Sequence, residues 1–145
     1  MRGPSRKVMN MPFSVEWFVE NQVIYSEMWG NMSLEDIRQH SIACIECMSQ
    51  TTRFVHMIVD LKSMQTLPLN AIQLRRAGTV LDQPNMGWMV LIAEDRSYMY
   101  VVKLVMQMVT KTRTRVVSSL DEAIEFLREQ DQTIDWSQAG DSAFS

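Results

Sequence analysis

The side chains of this 145-residue sequence best placed to do chemistry are its two cysteines, its two histidines and a polar run after a central apolar segment. Cys44 and Cys47 have the C-x-x-C spacing of thiol oxidoreductases, which set the first cysteine at a helix N-terminus so that the dipole stabilises a thiolate. Here the pair falls about ten residues inside a helical pattern, so buried thiols are expected rather than a redox couple. A zinc site needs more ligands than the two thiols, and His40, one turn before Cys44, is the single nearby candidate, so no metal and no other cofactor is expected. His56 belongs to a strand alternation opposite Val55 and Met57. No spacing puts a nucleophile or carboxylate beside it, so the sequence assigns no catalytic residue and no enzyme activity.

The polar run is a better candidate for contact than for catalysis. Asp60 ends an apolar strand pattern, and α/β sheets place ligands where strand ends face helix N-termini. Asp60, Lys62, Ser63, Thr66 and Asn70 are therefore the expected rim of a ligand- or partner-binding site, although Asp60 can also simply cap the following turn. Lys111, Arg113 and Arg115 share one face of the last strand by period two. They could grip phosphate, and they also suit the protection of an open sheet edge, which is the preferred reading.

Composition narrows the partners. The chain is 46% apolar and 21% charged, a globular balance that leaves enough hydrophobic surface for one core. A net charge of −3 and a pI near 5.4 argue against nucleic acid. No run reaches the ~20 apolar residues of a membrane span, the basic start leads into a strand pattern rather than a signal peptide, and a cytoplasmic location is expected. Thirteen methionines are unusual. Methionine fills irregular core gaps and lines adaptable clefts or subunit interfaces.

The elements that must carry these residues follow from periodicity. Phe13 to Glu20 and Val23 to Trp29 alternate as a strand hairpin. Ser33 with Asp36 forms a capping box for a helix from about Leu34 to Ser49. Phe54 to Leu61 is a nearly continuous apolar run, as in a parallel strand covered on both faces. A second helix is expected from about Asn70 to Leu81, a strand at Trp88 to Ala93, a third helix from Arg96 to Thr110 capped by Asp95, a strand at Thr112 to Val117, and a helix from Ser119 to Arg128. The third helix is apolar nearly all round, which requires cover on more than one side. Residues 1–11 are expected to be a flexible N-terminus, 12–130 the domain, and 131–145 a flexible tail with Trp136 touching the body.

This order, with the hairpin Trp17 to Trp29, the strands Val55 to Leu61 and Gly87 to Ile92, and the helix Ser119 to Leu127, resembles the STAS superfamily and its SpoIIAA-like proteins, which include anti-sigma-factor antagonists. The resemblance spans roughly residues 13–130. It implies an α/β fold in which an N-terminal β-hairpin leads into a β-α superhelix with a mixed, mostly parallel sheet of about five strands and four helices. In the antagonists it resembles, an Asp-Ser or Asp-Thr pair opens the helix after the central strand, and phosphorylation there abolishes partner binding. The matching stretch, Thr66-Leu67-Pro68-Leu69-Asn70, holds no such pair, which leaves a stand-alone member without the phospho-acceptor.

The leading functional expectation is a non-enzymatic module that docks a protein partner through the Asp60 to Asn70 rim. It is expected to form a homodimer through Tyr98, Met99, Val102, Val105 and Met106 of the third helix. A second expectation is a carrier of an apolar small molecule or lipid, held between helices two and three by Leu74, Met99 and Met106. A third is an antagonist-like protein phosphorylated at Ser63 or Thr66.

Overall fold

The computed structural model describes residues 6–7, 11–109 and 112–139, so the expectations for Lys111, for most of 1–11 and for 140–145 fall outside the described residues. The apolar alternation of β2 (Phe13–Val19) and β3 (Val23–Asn31) produces the antiparallel hairpin. Asn21 turns it at φ 62°, a left-handed conformation that asparagine tolerates better than most residues. Near the turn the register shifts between Trp17 and Val19. The extra residue sends Phe18 and Val19 to the same face, whereas Phe13, Val15 and Trp17 face the other way.

The short β1 (Arg6–Lys7) lies antiparallel beside β2, and β4 (Val55–Thr66), β5 (Met86–Ile92) and β6 (Arg113–Val117) continue the sheet in parallel from β3. Strand order is simply β1 to β6, so every strand lies beside its neighbour in sequence. Two apolar layers result. On one face α1 (Leu34–Met48), α2 (Ala71–Ala77) and α3 (Met99–Gln107) cover Phe13, Ile24, Met57 and Val59. On the other, α4 (Leu120–Gln130) sets Ala123, Ile124 and Leu127 against Ile58, Val90 and Ile92.

Local chemistry fixes the helix starts. Ser33 Oγ accepts the Asp36 N–H at 3.1 Å while Asp36 accepts the Ser33 N–H at 2.9 Å, the expected capping box. At α4 the Ser119 hydroxyl accepts from the Glu122 N–H, but the Glu122 carboxylate turns to the backbone and hydroxyl of Ser118. Asn70 caps α2 through the Gln73 N–H at 3.0 Å.

Of the boundaries that differ from the periodicity, three shape the surroundings of the site. Helix two stops at Ala77, where Gly78 leads into a 3-10 turn, Thr79–Asp82. Helix three starts at Met99 with no side-chain cap, so Asp95 does not open it. The central strand continues to Thr66, because β3 extends alongside it through Trp29, Gly30 and Asn31, with Gly30 at φ 66° absorbing one of the register shifts. Beyond α4, the segment expected to be a tail packs against the body over its described part. Ile134 is buried in the second layer and the Trp136 ring meets Phe18 edge-on at 5.9 Å.

Candidate functional site

The alternation of β4 and β5 turns Val59, Leu61, Met89 and Leu91 toward the helices, and these residues floor a cavity. Its walls are Ile37, His40 and Ser41 of α1, Leu74 of α2, Val80 of the 3-10 turn, and Val102, Val105 and Met106 of α3. The break at Gly78 has a role here, since it lets the chain leave α2 and carry Val80 and Leu81 to the cavity wall. The volume is about 120 Å³. Met28, Met64, Met89 and Met106 all line it, so part of the methionine excess belongs to a cleft.

His40 is the polar member of the lining that sets its chemistry. It is 3% exposed, and among the described residues its ring nitrogens meet only the Cys44 sulfur, at 3.8 and 3.9 Å, contacts at the long limit for a thiol. Phe13 stands edge-on to the ring at 5.5 Å. Burial lowers its pKa to about 4, so the imidazole is neutral at pH 7. Burial likewise pushes the Cys44 thiol well up, which suits the expectation of inert thiols over a redox pair. Nearby on the same face, the Ser26 hydroxyl is fully buried with no hydrogen-bond partner among the described residues. Its register partner Val59 and its strand neighbour Met28 both line the cavity.

The Asp60 group is a separate feature on the opposite face. Asp60 sits within β4 rather than at its end, and both its oxygens are engaged, one by the Tyr25 hydroxyl at 3.0 Å and one by the Lys62 N–H at 3.0 Å. Burial, reinforced by the Asp60 charge, pushes the Tyr25 phenol up, and the same two causes raise Glu27. Lys62, Ser63 and Thr66 are exposed on the strand, while Asn70 is taken up by its cap. The rim expected from sequence is thus spread along a strand and a helix start, and Thr66 is hydrogen-bonded to Asn31 at 2.9 Å.

His56 finds the carboxylate that its spacing did not reveal, 75 residues away. Its Nδ1 accepts the Trp88 N–H at 2.9 Å, so Nε2 carries the proton and donates to Asp131 at 2.8 Å. Burial alone would raise Asp131, but hydrogen bonds from Thr133 and His56 overcome it and hold the carboxyl at about 2. With both nitrogens occupied, His56 has no lone pair or proton left for a substrate. Among the described residues no group of three or more His, Cys, Asp or Glu is placed to hold a metal, and no helix is long and apolar enough to cross a membrane.

The third helix is divided between core and surface. Tyr98 and Met99 are buried, and the Tyr98 hydroxyl lies 3.3 and 3.2 Å from the carbonyls of Leu61 and Met64. Val102, Val105 and Met106 line the cavity, as does Leu74, whereas Met99 does not. The exposed apolar residues are Tyr100, Leu104 and Met108, spaced by one turn, with Leu69 and Ile72 beside α2. On the far edge, Arg113 and Arg115 lie over the rings of Trp88 and Phe126 at 5.8 and 5.2 Å.

No protein-family model matches the chain, and no curated protein matches it. Among solved structures, it is similar to an uncharacterized protein of the DUF3478 family from Shewanella loihica PV-4, described as having a SpoIIAA-like fold. The TM-score is 0.58 at 11% identity, over 86% of this chain and 99% of the other. The fold is SpoIIAA-like. At that identity the SpoIIAA-like likeness shows architecture alone. Within it, the helix that follows the central strand opens on Asn70, which caps and cannot accept phosphate.

Proposed function

We propose that this chain is a non-enzymatic binding module whose ligand is an apolar small molecule or chain, seated between the sheet and α1, α2 and α3. The observation that carries this reading is the cavity of about 120 Å³, lined almost wholly by aliphatic and methionine side chains. Empty apolar cavities of about 150 Å³ take up benzene, so this one suits a group of roughly five or six carbons. Burying five methylenes gives about 4 kcal/mol, which alone corresponds to roughly millimolar affinity. A tighter ligand must also cover apolar surface outside, and the exposed Leu69, Ile72 and Leu104 belong to the same two helices and their flank.

Other features support a binding role over catalysis. His56 is saturated, Cys44 is sealed, and Asp60 has both oxygens occupied. Docking of a protein on the Asp60 to Asn70 stretch has less behind it, because the exposed side chains there do not converge. Self-association through α3 would have to use Tyr100, Leu104 and Met108. Sedimentation of a strict monomer at tens of micromolar removes it.

The test of the apolar reading is a titration of the full chain, labelled at its methionine methyl groups, with benzene. The methyl signals of Met28, Met64, Met89 and Met106 should move together and saturate, with the other methionines still. Absence of any saturable shift would discard the cavity as a binding site.

A further inference from the structure

Among the described residues no Lys, Arg, Asp or Glu lines the cavity, and His40 is its single titratable side chain. The ring is buried, with an N–H and a lone pair whose hydrogen-bond contact among the described residues is a thiol at the long limit. A buried polar group without a partner of ordinary length is destabilising, and a ligand that supplies one recovers that loss. A purely hydrocarbon cavity would have no use for an imidazole at this place. Leucine or phenylalanine would pack there with no polar atoms to satisfy.

We propose that the ligand is a neutral, largely apolar molecule carrying one hydroxyl or carbonyl group, and that this group hydrogen-bonds to His40. The inference rests on the reading of the cavity as a binding site and adds the polarity and charge of what enters it. Neutrality follows from the lining. With no cation present and the imidazole uncharged at pH 7, a carboxylate or phosphate would be buried without a counter-charge, which costs far more than one hydrogen bond returns. A hydroxyl can donate to the lone pair of the ring or accept from its N–H, and a carbonyl can accept, so either tautomer is served. The volume sets the size of the part inside to about that of a six-membered ring, and anything longer extends beyond the cavity.

Benzene, phenol and benzoate separate the alternatives, since they share a ring that fits and differ in the head. The full chain, carrying labelled methionine methyls and ring-nitrogen-labelled histidine, is titrated with each at pH 7. Benzene and phenol should both move the methyls of Met28, Met64, Met89 and Met106. Phenol alone should shift the His40 nitrogens and should bind roughly fivefold tighter than benzene, the return of one net hydrogen bond. Benzoate should do neither. His40→Leu should still bind benzene but lose the preference for phenol. If that variant does not fold, the wild-type comparison stands by itself. No response to any probe overturns the cavity reading itself. Benzene binding with phenol no tighter, silent His40 nitrogens, or benzoate as tight as phenol overturns this inference and leaves the cavity reading in place.

Discussion

The two histidines use their ring nitrogens in opposite ways. His56 gives one to the Trp88 backbone and one to Asp131, and Gly87 makes room for it: a Cβ there would lie 2.6 Å from Nδ1 and 2.8 Å from Cε1. Gly87→Ala must push the ring aside and break both hydrogen bonds, so it should destabilise the protein by about 2–4 kcal/mol in urea denaturation. A change below about 0.5 kcal/mol would mean that the ring is not held as described. His40, by contrast, is held neutral down to about pH 4, whereas an unfolded histidine takes up a proton near 6.5. Below that value the unfolded chain binds a proton that the native state refuses, so stability falls as the pH drops through 6.5 toward 4. Between pH 7.5 and 5 the loss should be about 2 kcal/mol, measured by denaturation at the two pH values and absent in His40→Gln. Asp131 works lower, its stabilisation being lost only as the pH falls below 3.8 toward 2.

Among the α-helices, α3 is the least covered. Only Met99 and Val101 of its nine residues are buried, and it has no side-chain cap. Amide exchange should therefore be markedly faster in Met99–Gln107 than in the central strand Val55–Thr66, and a cavity ligand should slow α3 most, because Val102, Val105 and Met106 would gain contacts. Equal protection of both elements in the free protein would refute this. The same helix shows where sequence reading succeeds and where it stops. Its apolar run was legible, but the expected cover on more than one side is not what the structure shows, since Tyr100, Leu104 and Met108 are exposed. Which residues face the core was not legible, since a stretch apolar nearly all round has no phase: Tyr98 and Met99, expected at a contact surface, lie inside, and Tyr100 and Leu104 lie outside. Strand β4 shows a related limit. Phe54 to Leu61 announced itself by its apolar run, but Lys62 to Thr66 is polar except for Met64 and is held in the sheet by pairing with Trp29, Gly30 and Asn31, a register that one strand alone does not encode.

At the scale of the molecule, the element order was readable because most segments carry a distinct apolar signal, by period in the hairpin, α1 and α4 and by an unbroken run in β4, and the structure keeps that order in the sheet. The cavity was half legible, through the methionine count and through Leu74 and Met106, while His40 entered only as a remote metal ligand because its burial depends on packing that spacing does not reveal. The segment after α4 was the least legible, for Asp131 to Ala139 has no period at all. It nonetheless runs back from the late elements toward the first hairpin: Asp131 holds His56, the Asp135 N–H bonds to Gln22 at 2.8 Å, and Trp136 covers Phe18. A polypeptide emerging from the ribosome can add each strand to the edge of the one before it, but the clasp that ties the late segment to the early hairpin forms only after α4 is out. Synthesis halted at Gln130 would leave Phe18 without its Trp136 cover and the His56 ring without its carboxylate, an almost complete sheet with an early corner that stays open until Asp131 to Trp136 close it.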